Sequence, residues 1–590
     1  MSAPLEHYAM IGDGETAALV CKTGSIDWLC WPRFDSDACF SALVGQERNG
    51  RWLLAPRDPD VRVTRRYRPD TLILETDFIT PTGAARLTDF MPMRHGPPAL
   101  VRSVTGLAGT VPMQLRLGLR FGYGLIPPWL DLEERRAIGR IGPDVTVLDA
   151  AVALARDGQD VVAEFTVREG QRLAFVLQFA NADSKLPAEL DVDKAEQGAE
   201  SFWRDWIGQF DKPTEWPDAV RRSLIVLKAL VSRSSGGIVA APTTSLPELA
   251  GGDQNWDYRY CWLRDASFAV SALLNAGYHA EAKAWRDWIL RAIAGSPEHI
   301  QIMYRMDGAR DLNEWTAAWL SGYRWAAPVR IGNAAARQRQ IDVYGELVEV
   351  LDLAHRAGID REPQGLAVEE AMVRRLESLW HDSGHGIWEN RGEPRRYVYS
   401  QVMAWVALER FVRSRSKMNG AGDGLVARAA ATRDDIAREV CCEGFDSGLN
   451  SFVEYYGSDE IDAASLLIPA VGFLPPDDPR VTATVARVER ELIQDGLVYR
   501  NERSATQGQG AFLVCNCWLA DCLRMQGRHA EARRAFERLL EVRNDVGLLS
   551  EEYDLRSRRL TGNFPQALSH LGLVTTGLGL SGPVLQRGGG

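Results

Sequence analysis

The chain has 590 residues, 45% of them hydrophobic and 25% charged, with a formal net charge of -11. Acids and bases are interspersed, which makes nucleic acid and anionic membranes poor partners, and no apolar run is long enough to span a membrane. The opening stretch, MSAPLEHYAMIGDGETAALV, has no basic start followed by an apolar core, so no signal peptide is expected.

From Ala17 to about Phe179 the pattern tends towards period two. Met113, Leu115, Leu117, Leu119 and Phe121 alternate with Gln114, Arg116, Gly118 and Arg120, the signature of a half-buried strand. Further strands are predicted at Ala18-Leu19-Val20, Ile26 to Leu29, Leu72-Ile73-Leu74, Val161 to Val167 and Leu173 to Phe179. Turns at Pro81-Thr82-Gly83 and Arg168-Glu169-Gly170 punctuate them. Many short strands with turns suggest an antiparallel β-sandwich over residues 1–194. Gly12-Asp13-Gly14-Glu15-Thr16-Ala17 superficially resembles a dinucleotide fingerprint. Strand-like residues follow it where a helix should open, so that reading is rejected.

The period changes near Ala195. Phe202, Trp206 and Phe210 stand four apart, marking a linker helix within 195–216. Beyond Pro217, in a catalytic unit expected over 217–590, the spacing predicts about twelve helices. They fall near 217–235, 264–277, 279–295, 334–358, 363–382, 395–415, 427–446, 460–474, 479–496, 511–526, 528–545 and 565–580. Loops leading into the even-numbered helices are mostly long and rich in Trp, Tyr, Arg, Asp and Glu, whereas several others are very short. A closed double ring of six helical hairpins with one working rim would produce this alternation.

Nine cysteines are scattered along the chain. Cys515, Cys517 and Cys522 fall on different faces of one helix with no His close by, so core packing is expected rather than a metal site. Reduced thiols and a cytoplasmic location follow. No metal and no cofactor are expected, and oligomeric state is left open, a homo-oligomer included.

The chemistry concentrates on the working rim. Asn255-Trp256-Asp257-Tyr258-Arg259-Tyr260-Cys261-Trp262-Leu263-Arg264-Asp265 precedes the second helix. Aromatic faces stack on sugar C–H groups, and charged groups hydrogen-bond hydroxyls. Gly322-Tyr323-Arg324-Trp325 and Pro328-Val329-Arg330 precede the fourth helix, Trp388-Glu389 the sixth, and Tyr499-Arg500 the tenth. Ser550-Glu551-Glu552 precedes the twelfth. A carboxyl beside an indole suits a proton donor of raised pKa. Two carboxyls facing each other across an aromatic pocket are the equipment for glycosidic bond cleavage. Adjacent Glu551 and Glu552 leave open which is the second carboxyl. His570, in the last helix, reads as a packed, hydrogen-bonded residue rather than a catalyst.

At this point the chain resembles glycoside hydrolase family 15, the glucoamylases and bacterial trehalases. The resemblance spans nearly the whole chain and rests on GSIDWLCWPRFDS, NWDYRYCWLRDA, PVRIGNAA, GIWE, LLIPAVGFLPPDDPR, SEEYD and GNFPQALSHLGL. It implies an α+β multidomain fold, with an N-terminal antiparallel β-sandwich followed by an (α/α)6 barrel. It also implies Glu389 as general acid and Glu551 as general base. Arg264 and Asp265 would grip the sugar at the pocket floor, Trp325 and Arg330 would flank the scissile bond, and Arg500 would bind the sugar. Trp262, Trp388 and Glu552 join these as substrate-binding residues. Gln509 and Asn390 depart from the pattern, which bears on substrate preference.

The function expected is an inverting, exo-acting α-glucoside hydrolase releasing β-glucose from trehalose or a short α-glucooligosaccharide. An inverting phosphorylase would need no base carboxylate, and a non-catalytic sugar-binding protein would need no acid and base pair. The paired carboxyls argue against both.

Overall fold

The structure is a computed structural model that describes residues 2–296, 299–359, 362–416 and 424–583. Strands between Tyr8 and Asn181 pair antiparallel into one connected sheet whose spine is the twenty-residue strand Ala99–Gly118. The first half of this strand pairs with Gly83–Phe90 and Arg172–Asn181. The second half pairs with Arg51–Pro56 and Asp160–Arg168. The halves differ in burial as their sequences dictate. Val111, Met113, Leu115 and Leu117 are buried while the residues between them are half-exposed, the pattern of a sheet with one wet face. Residues 99–104 are buried throughout, and there Arg102 bonds Asp89 at 2.7 Å and the carbonyls of Trp52 and Gly24 at 2.6 and 2.9 Å. A fully satisfied guanidinium of this kind is how a charge survives inside a sheet.

Ala17–Cys21, Ser25–Cys30, Asp160–Arg168 and Arg172–Asn181 cover the strands read from the sequence. Two expectations fail. The strand read on through Leu119 and Phe121 ends at Gly118, and Leu72 lies in a bend with Ile73 outside any element, the strand beginning at Leu74. Apolar residues here signal burial without pairing, because Ile73 packs under a helix with Phe90, Val101, Val176 and Ala199. That helix, Val192–Ile207, starts before residue 195 and stops well short of 216. Asp191 accepts from the Lys194 N–H at its start. In its last turn, Trp206 stacks on Tyr278 at 4.1 Å and donates its indole N–H to Glu281 at 2.7 Å.

The helices that follow are Pro217–Ala229, Leu263–Asn275, His279–Ala292, Asp342–Arg356, Pro363–Leu379, Val398–Ser416, Gly424–Glu443, Pro479–Glu491, Leu513–Met525, His529–Glu541 and Ala567–Ser581. Two segments differ from the reading. The helix expected from 334 is a short 3-10 turn, Ala334–Arg337, separated from Asp342–Arg356, because Asn333 caps the turn and Gln338 is extended. The helix expected over 460–474 is a 3-10 turn, Ala463–Leu466, and a single α-turn, Leu467–Ala470. Pro469 and the left-handed Gly472 prevent continuation. The short helix Glu502–Gln507 carried no periodic signal.

Leu263–Asn275 packs on Asp342–Arg356, which packs on Val398–Ser416. Leu467–Ala470 fills the space between Val398–Ser416 and Leu513–Met525, and Ala567–Ser581 packs on both Leu513–Met525 and Leu263–Asn275, closing a ring of contacts. The other helices lie against it from outside. Cys515, Cys517 and Cys522 are buried and unbridged within the ring. Among the described residues no helix is long and apolar enough to cross a membrane.

Close approach of two ring helices depends on Gly345, where a Cβ would stand 2.1 Å from the Met403 carbonyl oxygen. Gly345→Ala is therefore expected to destabilise the protein by about 1–3 kcal/mol through overpacking, despite alanine's better helix propensity. Chemical denaturation measures this, and an unchanged or raised midpoint would contradict the packing described.

Candidate active site

Glu389 follows a tight turn in which its N–H bonds the Gly386 carbonyl at 3.2 Å. Its φ is +57°, a left-handed conformation that costs a non-glycine residue on the order of 1–3 kcal/mol and persists only where surroundings enforce it. Gln338 enforces it by donating to the carbonyls of Glu389 and Asn390 at 3.0 and 3.2 Å. The carboxyl then accepts the Trp262 indole N–H at 2.5 Å and an Arg264 N–H at 3.4 Å on the same oxygen. Arg264 is itself held by the Ile387 carbonyl at 2.5 Å and by Asp265 at 2.9 Å. Burial pushes the Glu389 carboxyl above the ordinary range; Arg264 and the Trp262 N–H oppose it only partly. Trp388, the neighbour, donates its indole N–H to both oxygens of Asp462, at 2.9 and 2.8 Å, and packs on Phe512 and Trp518.

Across the ring, residues 549–552 lead into the strand Glu552–Asp554, which pairs with Ala511–Phe512 and Arg559–Thr561. His570 supports this segment by accepting the Leu549 N–H at Nε2 while Nδ1 meets Ser223. Burial lowers its pKa to about 3, so it is a neutral, packed residue. Glu551 accepts the Tyr258 hydroxyl at 2.6 Å and the Asn563 N–H at 3.3 Å. Burial, and then the nearby Glu248, push its carboxyl upward against these bonds and Arg500. Glu552 accepts the Gly510 N–H at 2.9 Å and pairs with Arg500 at 3.0 Å. Arg500 also donates to Glu248 at 2.5 Å and Gln509 at 2.9 Å. One guanidinium thus pairs with two buried carboxyls, Glu248 and Glu552, and acts on a third, Glu551, through its charge alone.

These groups meet in a cavity of about 400 Å³. Trp262, Arg264, Asp265, Arg330, Trp388, Glu389, Arg500 and Glu551 all line it. Glu552 does not; it is fully buried behind the wall and acts on Arg500. Trp325, expected beside the scissile bond, does not line this cavity. It is 62% exposed, with a φ of +72°, and lines a separate surface depression together with residues 45–48. The rim indole is Trp256 instead, carrying the guanidiniums of Arg330 at 4.5 Å and Arg391 at 4.2 Å and donating to Glu248 at 3.1 Å. Tyr258, Glu248, Gln254 and Arg391 also line the cavity and were not singled out from sequence. Alternation of aromatics along 256–262 could have found Tyr258. Glu248 and Gln254 stand in irregular backbone without a signature. Among the described residues no cluster of His, Cys, Asp and Glu is arranged to hold a metal ion.

Residues 217–578 match the family description for glycosyl hydrolases family 15, and residues 1–203 match the trehalase-like N-terminal description. A trehalase of Thermoplasma volcanium is 34% identical over 99% of this chain and 94% of its own length. A trehalase of Mycobacterium tuberculosis is 35% identical over 97% of this chain and 88% of its own. In fold, the chain resembles a bacterial glucoamylase solved with acarbose, with a TM-score of 0.73 over 98% of this chain and 94% of that one, at 11% identity. An acid-lined aromatic cavity with this kinship defines a glycoside hydrolase. The chain belongs to glycosyl hydrolases family 15.

Arg500→Met would leave the carboxyls around it without their cation, and breaking one partner of a buried ion pair costs about 3–5 kcal/mol. The deficit should shrink as pH falls, because carboxyls of raised pKa then take up protons and need no counter-charge. Denaturation at acid and alkaline pH tests this; an equal deficit at both would refute the electrostatic account.

Proposed function

We propose that this protein is an inverting, exo-acting hydrolase that releases β-glucose from trehalose or a short α-glucooligosaccharide. The observation that carries this reading is that Glu389 and Glu551 line one cavity, each with its own hydrogen-bond donor, Trp262 and Tyr258. Glu389 is the general acid: a desolvated carboxyl keeps its proton until the departing glycosidic oxygen takes it. Glu551 is the general base: the Tyr258 hydroxyl and the Asn563 N–H stabilise its ionised form against the burial that raises its proton affinity, and it activates water on the opposite sugar face. Arg264 and Asp265 grip the terminal glucose, and Trp262 and Trp388 pack against it. Arg330 and Arg500 hold the second sugar. Glu552 keeps Arg500 in place.

The fold reading that accompanies this role is an N-terminal β-sandwich over 1–194, a linker helix within 195–216 and an (α/α)6 catalytic barrel over 217–590. The closed ring of helix contacts and the likeness to a glucoamylase support it. Trehalose is favoured because trehalases of two organisms match the chain almost end to end. A phosphorylase would use phosphate where this cavity presents Glu551, so hydrolysis is the better reading.

Glu389→Gln should lower kcat by about 10²–10⁴-fold or more while the protein stays folded, because an amide cannot protonate the leaving oxygen. Near wild-type kcat on trehalose would rule out the assignment.

Stereochemistry gives a second test. One displacement by water inverts the attacked anomeric centre, while the departing glucose of trehalose keeps its α configuration, so proton NMR of the earliest products should show β- and α-glucose in equal amounts before mutarotation. α-Glucose alone at the earliest time, or glucose 1-phosphate forming only with added phosphate, would overturn the mechanism.

A further inference from the structure

The segment from Trp256 to Arg264 faces two environments by turns. Trp256, Tyr258, Trp262 and Arg264 line the cavity, whereas Asp257, Arg259 and Cys261 are completely buried. Asp257 and Arg259 form a two-pronged pair, with Nε on Oδ1 at 2.9 Å and Nη2 on Oδ2 at 2.6 Å. The remaining contacts of this pair leave the segment. Arg259 Nη1 donates to the Ser36 carbonyl at 2.7 Å and Nη2 to the Tyr123 hydroxyl at 3.0 Å, both in the N-terminal β-structure. Its guanidinium also lies over the rings of Tyr123 and Trp28, at 5.1 and 5.9 Å. Asp257 Oδ2 accepts the Gly332 N–H at 3.1 Å, and its carbonyl accepts the Asn333 amide at 3.3 Å. One buried pair therefore joins the β-structure, the cavity segment and the loop that carries Arg330.

The residues flanking this pair are the donors of the site. Tyr258, between the two partners, gives its hydroxyl to Glu551, and Trp262, three residues on, gives its indole N–H to Glu389. We propose that Asp257 and Arg259 are positioning residues, through which the β-structure holds Tyr258 and Trp262 in place as donors to the two catalytic carboxyls. This rests on the roles proposed for Glu389 and Glu551. A planar guanidinium suits the task because its fork grips a carboxylate while spare N–H groups reach carbonyl and hydroxyl oxygens, which an ammonium on a flexible stem does not reproduce. Positioning on this scale matters to rate, since misplacement by about 1 Å costs on the order of 10²-fold.

Removing one charge alone would leave its partner buried and unpaired, so the informative variant neutralises both, Asp257→Asn with Arg259→Gln. Tyr123→Phe is the gentler companion, removing only a hydrogen bond from the β-structure side. In the folded double variant, kcat on trehalose should fall about 10- to 100-fold with KM changed by less than about threefold. The pH–rate profile should shift, because the donors that favour ionised carboxyls have moved. Tyr123→Phe should lower kcat about 2- to 10-fold, the worth of one hydrogen bond. A folded double variant with wild-type kcat and an unshifted profile would overturn the inference, as would a loss matching the unfolded fraction with no shift. The Trp262 indole ¹H–¹⁵N resonance is read alongside and needs no turnover. If wild-type protein cleaves no α-glucoside, the functional reading fails on its own; an unmoved indole resonance then still overturns the positioning pair, and a displaced one supports it.

Discussion

The centre of this protein is governed by buried charge. Glu248, Asp265, Glu551 and Glu552 are all 4% exposed or less, and Glu389 is held between an indole and a guanidinium. Isolated ions cannot persist in such surroundings, so each carboxyl must either keep a proton or find donors. Both solutions are present. Arg264 is shared by Asp265 and Glu389, and Arg500 by Glu248 and Glu552. Burial raises the proton affinities of Glu389, Glu551 and Glu552, and the two guanidiniums offset it only in part.

The ring of helices makes that arrangement sustainable. Three of its members begin at the cavity, so Asp265, Phe512 and Leu568 line it from the first turns of their helices or the residue before them. Helix starts carry unpaired N–H groups and a partial positive charge, which favours buried acids nearby. The working side chains themselves stand on the segments leading into the helices. Those segments need not obey helical spacing, which lets Glu389 occupy a left-handed conformation and Trp262 end a two-residue strand.

Much of this was legible in the sequence because periodicity reports burial. Val111 to Leu117 and the apolar stripes of the later helices announced their elements, and alternating loop lengths announced a single working rim. The misreadings share a cause. Ile73 is apolar because a helix covers it and Leu72 because it enters the main core, while 460–474 is apolar because it fills a gap in the ring; in each, burial occurs without the element that usually accompanies it. Trp325 belongs to an aromatic run like the others, but it stands on left-handed backbone outside the cavity, and composition carries no sign of that. Glu248 reaches the site from irregular backbone and is tied to it through Trp256 and Arg500, distant or non-periodic partners that spacing cannot connect.

Adjacent Glu551 and Glu552 show how the fold resolves what residue type leaves ambiguous. They are identical in chemistry and consecutive in sequence, yet the chain enters a strand at Glu552, and successive side chains of extended backbone point to opposite sides. Glu551 therefore lines the cavity and meets Tyr258, while Glu552 turns towards Gly510 and Arg500. Exchanging their roles would require a one-residue slip of Glu552 against Phe512 and Thr561, which would turn the whole strand over. A similar alternation governs 256–259, where Trp256 and Tyr258 line the cavity while Asp257 turns to the Gly332 loop and Arg259 to the β-structure. In both segments period two sorts neighbouring polar residues, sending one to the cavity and the next to the framework that aims it.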